Sequence, residues 1–366
     1  MCTKPGAIFL SRRPGIDEKW LTKYYPDTCH DEAIRMGLDI DVLTATAHGL
    51  DAKWSVVGCG QCHECRLQRS RVWANRCMME MADFPPEDGV CRNWFVTLTY
   101  APGHTDELRS PMDGATLSLH VPEGKKKDHL QMFNNAVRQR WKRDFDHDGI
   151  RFYSCGEYGD KNARPHYHEI LFNLPIDPDK LEYLFSNKFG HKYYNYQPLS
   201  ETWSDKGFVV ISEASWDSAA YTARYIMKKQ LGKGAEIYDE VGIRPPFVRM
   251  SLKPGIGFSA FKGYESYCNI DDLTGELRLK KHMILPNAPE GVDPSVSHPR
   301  YFDRLMERED PEFMEIVKEW RQRNAEIKYK NLHIRTNLSD RDIFEARSDT
   351  LSHKNTGMLR DFFSQI

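Results

Sequence analysis

The sequence predicts an α+β fold with a central antiparallel sheet flanked by helices and extra segments at both ends. The first observation is the order of patterns after residue 90: strand, helix, two strands, helix, strand and helix. The second is composition, because 40% hydrophobic and 28% charged residues are ordinary for a globular protein. These observations exclude a disordered or fibrous chain.

Each element of this order is predicted from a local pattern. Aromatic and β-branched runs predict the strands, and a period of 3.6 residues in the apolar positions predicts the helices. The stretch Ala101–Lys127, rich in Gly, Pro and Asp, is predicted to be a long loop. The predicted strands are Trp94–Tyr100, Arg151–Tyr158, His166–Leu174 and Phe208–Ser212, and the predicted helices are Gln61–Met81, Asp128–Phe145, Asp179–Phe189, Ser215 or Asp217 to about Leu231, and Pro311–Tyr329.

The motifs divide the chain of 366 residues into three segments. Residues 1–90 form an N-terminal segment with a cysteine-rich basic helix, and residues 91–235 form the core that contains the chemical motifs. Residues 236–366 form a C-terminal accessory region in which no motif is matched.

Charge and cysteine content restrict the partners and the compartment. The formal net charge is only −2, so the whole chain gives no argument for a polyanionic partner. Local basic clusters can still attract a phosphate backbone, although each could equally be a solvated helix face. With no signal peptide and no apolar run of membrane-spanning length, the nine cysteines predict reduced thiols in a cytosol. The clusters are Arg66, Arg69, Arg71 and Arg76; Arg138, Arg140, Lys142 and Arg143; and Arg224, Lys228, Lys229 and Lys233.

The first chemical motif is a pair of histidines two residues apart in a predicted strand. His166 and His168 point to the same face, about 7 Å apart along it, because side chains alternate in a strand. If the two predicted strands form a hairpin, Glu157 comes alongside this face. Two imidazoles and a carboxylate give a three-ligand site with open positions, compatible with Mn²⁺ or Mg²⁺. The alternative is a half-buried strand whose histidines hydrogen-bond locally.

The second motif is a pair of tyrosines four residues apart in a predicted helix. Tyr221 and Tyr225 lie on one face, and each is followed three residues later by a basic residue, Arg224 or Lys228. A phenol has a pKa near 10, so it becomes a useful nucleophile only beside a metal or a cation. The alternative is an amphipathic pair that packs on the sheet.

The third motif is a cluster of thiols before and within the first basic helix. Cys59, Cys62 and Cys65 are spaced by three residues, and Cys77 follows twelve residues later. Tetrahedral zinc takes such ligands, so these four cysteines are candidate zinc ligands. No second CxxC pair completes the usual pattern, and reduced thiols along a helix are the alternative.

Taken in order, these motifs resemble the HUH endonuclease superfamily, most closely the replication initiators of microviruses of the gokushovirus type. Phe95–Tyr100 resembles the first-motif strand. Glu157 with His166–His168 resembles the metal motif, and Tyr221–Lys228 resembles the nucleophile helix in its two-tyrosine form. The resemblance covers about residues 55–232, and the same initiators have a similar cysteine-rich segment.

The resemblance implies a rolling-circle replication initiator that nicks and joins single-stranded DNA at an origin through a 5′-phosphotyrosine. It implies that Glu157, His166 and His168 hold a divalent ion while Tyr221 or Tyr225 attacks. Tyr225 is the preferred first nucleophile, with Lys228 as the assisting cation, because Tyr225-x-x-Lys228 fits the family pattern better. Residues 91–235 would be the endonuclease core.

The same resemblance implies the partners and the place of action. The sequence contains no GxxxxGK[ST] motif, so unwinding would come from a host helicase. A host DNA polymerase would extend the released 3′-OH in the cytoplasm of an infected bacterium. No membrane partner is expected.

Two other classes of protein stay open at this point. A metal-dependent hydrolase would use the two histidines and the glutamate with water as the nucleophile and would need neither tyrosine. A non-enzymatic protein that binds single-stranded nucleic acid, with a structural zinc, would use its aromatic residues (12%) to stack on bases.

Overall fold

The computed structural model describes most of the chain and divides it into two compact units. The first unit comprises Met1–Arg69 and Gln322–Asp361, and the second comprises Ser70–Arg321 with Phe362–Ile366. These units reflect spatial contacts, whereas the boundaries at residues 90 and 235 reflect motifs and stay a prediction. The described residues are 5–16, 20–101, 128–159, 165–188, 190–228, 236, 240, 245–271, 274–288, 290, 293–334 and 336–355.

Strands and helices are numbered here in chain order. The strands are β1 (Gly6–Arg12), β2 (Leu21–Tyr25), β3 (Asp51–Val57), β4 (Trp94–Tyr100), β5 (Arg151–Tyr158), β6 (Pro165–Phe172), β7 (Leu181–Ser186), β8 (Lys192–Tyr196), β9 (Gly207–Glu213), β10 (Phe247–Met250), β11 (Cys268–Ile270), β12 (Leu277–Leu279), β13 (Met283–Ile284) and β14 (Ser295–Val296). The helices are α1 (His30–Arg35), α2 (Leu38–Ala47), α3 (His63–Met81), α4 (His129–Phe145), α5 (Gln197–Trp203), α6 (Trp216–Lys228), α7 (Arg300–Glu309), α8 (Pro311–Ile334) and α9 (Asp340–Asn355).

The first unit contains a small antiparallel sheet in the order β2-β1-β3. Its buried core is small, comprising Ala7, Ala33 and Leu38. Polar contacts add to this core, because the Arg341 guanidinium donates to Glu32 over 2.8 Å and to Asp27 over 3.0 Å. The sequence predicted neither this sheet nor its helices, since its strands are half-buried and lack a strong alternation.

The second unit is built on a seven-stranded sheet in the order β10-β5-β6-β4-β9-β8-β7. Each printed pairing in it is antiparallel, so the predicted α+β fold with a central antiparallel sheet is confirmed. The hairpin predicted between the second and third strands of the core is also confirmed, as β5 and β6. Within the described residues, no helix has the length and apolar character needed to cross a membrane.

The two faces of this sheet support two separate cores. On one face, α4 and α5 cover inward-pointing residues such as Val96, Leu98 and Tyr167. On the other face, α3 and α6 cover residues such as Phe95 and Ile170. Because side chains alternate along each strand, β6 presents Tyr167 to the first core and both histidines to the opposite face. The chemical motifs therefore lie on the face that α6 partly covers.

Helix α4 shows how the sequence sets an element of the first core. Asp128 caps it by accepting from the Gln131 backbone N–H over 2.9 Å, and the helix ends before Asp146, which has a left-handed conformation. The buried residues Leu130, Phe133, Val137 and Trp141 follow the predicted helical period.

The helix predicted at residues 179–189 is wrong. A short 3₁₀ turn at Pro178–Lys180 leads into β7, and the tyrosine-rich stretch predicted as a loop is β8. The Phe185 and Tyr193 rings stack across this hairpin with centroids 4.8 Å apart. Cross-strand aromatic pairs stabilise hairpins, and this contact depends on a partner strand that a local helical period does not reveal. The loop predicted at 101–127 lies almost wholly outside the described residues.

Replacement of Trp141 by alanine is expected to destabilise the second unit by about 3–5 kcal/mol. The side chain is fully buried, and its indole N–H donates to the Pro175 carbonyl over 2.7 Å. Phe145→Ala is the matched control, since Phe145 stacks on Trp141 from a position that is 39% exposed. Denaturant unfolding measures both, and equal losses would contradict the assignment of Trp141 to the core.

Candidate active site

Three side chains with metal-binding donors meet on the β5–β6 hairpin. Glu157 and His166 are directly opposite each other across the two strands, and His168 lies two residues further on the same face. The Glu157 Oε1 atom is 2.6 Å from His166 Nε2 and 3.4 Å from His168 Nε2. All three donor atoms lie within 4.8 Å of one another. The structure thus brings together the three residues that the sequence analysis selected.

The electrostatic state of Glu157 suits a cation ligand. The carboxylate is almost fully buried, and burial alone raises its pKa. Hydrogen bonds and charge interactions with His166 and His168 outweigh burial and lower the pKa of Glu157 to about 2. The carboxylate is therefore ionised throughout the physiological pH range.

The donor set fits a divalent cation. A buried carboxylate oxygen and two imidazole nitrogens converge from one side, which leaves coordination positions for substrate and water. Such a mixed nitrogen and oxygen set suits Mn²⁺, and it suits Mg²⁺ when phosphate oxygens complete the shell.

Two residues of β4 position His168, and sequence reasoning gave neither of them a role. Thr97 is directly opposite His168, and its Oγ1 atom is 3.1 Å from His168 Nδ1. With Nε2 facing Glu157, Nδ1 carries the proton and donates to the threonine oxygen. The ring of Phe95 stacks on the imidazole with centroids 5.6 Å apart. Both contacts depend on strand register, for which the local sequence contains no signal.

Replacement of Thr97 by valine is expected to weaken divalent metal binding by about 10- to 100-fold. Valine keeps the shape of the side chain but removes the oxygen that orients His168. Thr99→Val is the matched control, because its hydroxyl donates to the Phe208 carbonyl over 3.4 Å. Calorimetric titration with Mn²⁺ measures both affinities, and equal affinities in the two variants would contradict this role of Thr97.

Helix α6 places one of the two motif tyrosines beside the metal ligands. The Tyr221 ring contacts the His168 ring edge to face, with centroids 5.1 Å apart, and it is 40% exposed. The buried residues Ala219, Ala220 and Ala223 let α6 pack closely against the sheet. The Arg224 guanidinium carbon lies 6.0 Å from the Tyr221 ring centroid.

The second tyrosine and its lysine are in the same helix. Tyr225 and Lys228 belong to α6, so the predicted helix is confirmed up to Lys228. Their side chains lie outside the described residues, and their predicted roles as first nucleophile and assisting cation stay predictions.

A further aromatic ring stands near the metal ligands on the same face. Phe208 in β9 is directly opposite Thr99, which is directly opposite His166 in β6. Opposite residues in an antiparallel sheet share a face, so Phe208 and His166 point the same way. Phe208 is 63% exposed, which is unusual for such a large apolar side chain. Together with Tyr221, it provides exposed aromatic surface beside the three ligands.

The cysteine cluster of the sequence analysis forms only in part. The sulfur atoms of Cys59, Cys62 and Cys65 all lie within 4.8 Å of one another. Cys77 is not among them, and its selection as a fourth ligand is wrong. It is fully buried in the second core beside Ala74, where burial raises the pKa of its thiol and opposes the thiolate that zinc requires. Spacing in sequence did not reveal that Cys77 is on the apolar side of α3.

Comparisons with known proteins address this arrangement. A family described as replication-associated proteins of the ORF2 type matches residues 93–230, which contain β4, the metal ligands and α6. No solved structure matches the chain.

Curated relatives extend the match beyond this region. "Replication-associated protein ORF2" of Spiroplasma virus 4 is 34% identical over 298 residues, covering 80% of this chain and 79% of the relative. "Replication-associated protein VP4" of Bdellovibrio phage phiMH2K is 24% identical over 304 residues, covering 81% of this chain and 80% of the relative. "Replication-associated protein ORF4" of Chlamydia phage 1 is 30% identical over 175 residues, covering 47% and 38%. The resemblance to phage replication initiators is confirmed, and the chain belongs to the family of phage replication-associated proteins.

Proposed function

We propose that this protein acts in phage genome replication by nicking and rejoining single-stranded DNA through a covalent tyrosine intermediate. One observation carries the proposal: the exposed phenol ring of Tyr221 contacts His168, one of three converging metal ligands. A nucleophile and a metal site that lie side by side on one face suit attack on a phosphodiester.

The chemical step balances without another reactant. The Tyr221 oxygen bonds to phosphorus, the bond from phosphorus to the 3′-oxygen breaks, and the phenolic proton is lost as the leaving oxygen gains one. The products are a 5′-phosphotyrosine and a free 3′-OH, and attack by a 3′-OH reverses the step and joins the strand. Because bond energy is kept in the phosphotyrosine, joining needs no nucleotide cofactor.

The side chains of the site have separate roles in this step. A divalent ion held by Glu157, His166 and His168 supplies charge that stabilises the pentacoordinate phosphate. Thr97 orients His168, and Arg224 adds positive charge near the phenol. Tyr225, one helical turn after Tyr221, is proposed as the second nucleophile or, on the family pattern, as the first. Lys228 is its proposed cation.

The proposed partners follow from the products. Single-stranded DNA at an origin is the substrate, a host polymerase extends the 3′-OH, and a host helicase supplies unwinding in an infected bacterium. The relatives named after phages support this setting.

Replacement of Phe208 by alanine is expected to weaken single-stranded DNA binding by about 5- to 150-fold, as loss of a base-stacking ring does. Tyr183→Ala is the matched control, because Tyr183 is 58% exposed and is opposite Tyr194, which packs on the other core. Fluorescence anisotropy with a labelled oligonucleotide measures both affinities. An equal effect of the two changes would contradict a stacking role specific to the metal face.

A nicking assay tests the proposed function directly. Labelled single-stranded origin DNA from the encoding genome is incubated with the full chain and Mn²⁺ or Mg²⁺, then separated on a denaturing protein gel. A metal-dependent protein–DNA band is the expected result. Cleavage without a covalent band would instead support a hydrolase that uses water, and binding without cleavage would support a non-enzymatic binding protein.

A further inference from the structure

A second cluster of metal-binding side chains lies outside the proposed active site, where β3 leads into α3. The sulfur atoms of Cys59, Cys62 and Cys65 are all within 4.8 Å of one another. In a tetrahedral site with Zn–S bonds of about 2.3 Å, two ligand sulfurs are about 3.8 Å apart. The three thiols therefore need only a small contraction to share one zinc ion.

The turn between the first two cysteines has the form of a metal-binding loop. Gly60 adopts a left-handed conformation with φ of 74°, which glycine tolerates without strain. The chain then folds back, so that the backbone N–H groups of Gln61 and Cys62 point at the Cys59 sulfur, with N–S distances of 3.4 and 3.1 Å. Backbone donors directed at sulfur stabilise a negatively charged ligand.

The other two sulfurs lie at the beginning of a long helix. Cys62 directly precedes α3, and its carbonyl accepts the Arg66 backbone N–H over 3.0 Å, while Cys65 is in the first turn. The N-terminal end of a helix favours negative charge. The guanidinium of Arg69 comes close to Gly60, with Nη2 3.5 Å from the position that a Cβ atom would take there. Positive charge is thus available beside a site that three thiolates would make anionic.

We propose that Cys59, Cys62 and Cys65 bind a structural Zn²⁺ ion as thiolates, separate from the divalent ion of the active site. Binding forms three Zn–S bonds and releases the three thiol protons to solvent. The described residues provide three donors in this cluster, so the fourth comes from water or from a side chain outside the described set. The ion would cross-link the 58–62 turn to the first turn of α3. A small unit with few buried apolar residues gains most from such a cross-link.

The zinc content of the full chain tests this proposal. The protein is purified under reducing conditions with Zn²⁺ supplied, in a Glu157→Gln, His168→Gln background that disables the other metal site. About one zinc per chain is expected by elemental analysis. Cys59→Ser and Cys65→Ser should each lower that content strongly, while Cys91→Ser, a half-buried cysteine elsewhere, should keep it. Full zinc in both ligand variants, or none in the parent, would overturn the proposal.

A second measurement needs no change to the cysteines. Replacing zinc by Co²⁺ should give the thiolate-to-cobalt charge-transfer band and the strong visible bands of tetrahedral coordination. Bound zinc should also slow alkylation of Cys59, Cys62 and Cys65, as mapped by mass spectrometry. A Cys62–Cys65 disulfide or equal alkylation rates with and without zinc would contradict the site. None of these readouts depends on DNA nicking, so the outcome is separate from that of the proposed function.

Discussion

Replacement of both Tyr221 and Tyr225 by phenylalanine is expected to abolish the covalent protein–DNA band and to lower nicking on the order of 10³-fold or more. The substitution removes only two hydroxyl oxygens. The ring contacts of Tyr221 with His168 and Phe95 are kept, so metal binding and folding should be unchanged. The loss would therefore report the nucleophile itself rather than damage to the site.

The single variants separate the two tyrosines. If Tyr221 is the first nucleophile, Tyr221→Phe alone should remove most of the adduct on a nicking substrate, and Tyr225→Phe should do so if the family pattern governs. Tyr193→Phe is the matched control, because this tyrosine is in the β7–β8 hairpin away from α6. Denaturing gels give the adduct yield, and tryptic mapping of the DNA-linked peptide identifies the residue. A full-strength adduct in the double variant would disprove the tyrosine mechanism.

The sequence was sufficient to predict the parts of the site that depend on local pattern. Alternation within β6 placed His166 and His168 on one face, and the short hairpin placed Glu157 opposite them. Helical spacing placed Tyr221 and Tyr225 in one helix. These predictions succeed because the period of a strand or a helix is set by the backbone and requires no knowledge of distant contacts.

Contacts between distant strands were not predictable in the same way. The hydrogen bond between Thr97 and His168 and the position of Phe208 both depend on the order of strands in the sheet. The β7–β8 hairpin was missed because its rings are stabilised by each other across two strands rather than by a buried helical face. Cys77 has the right spacing for a ligand, yet it points into an apolar core. In each case, tertiary packing decided a question that local spacing left open.

Replacement of Glu157 by glutamine is expected to lower both metal affinity and nicking by about 100-fold or more, since glutamine keeps the shape but removes the charge. His168→Gln should have a similar effect. A chelator should silence the wild-type protein reversibly, with activity restored by Mn²⁺, whereas excess Mn²⁺ should restore the variants only in part. Metal titration and the nicking assay, run on the same preparations, measure the two quantities.

Glu169→Gln is the matched control for this prediction, because it changes a buried carboxyl on the same hairpin but on the opposite face. Burial raises the pKa of Glu169 to about 8, so this side chain is mostly neutral at pH 7, as glutamine is. Its Oε1 atom accepts from the Asn134 side chain over 2.8 Å, and glutamine can keep that bond. We therefore expect nearly normal metal binding and nicking from Glu169→Gln. Two adjacent strands thus hold one carboxyl whose charge is essential and one whose charge is absent. Equal losses from the two substitutions would show that the effect of Glu157→Gln comes from disturbed packing, and would contradict its role as a metal ligand.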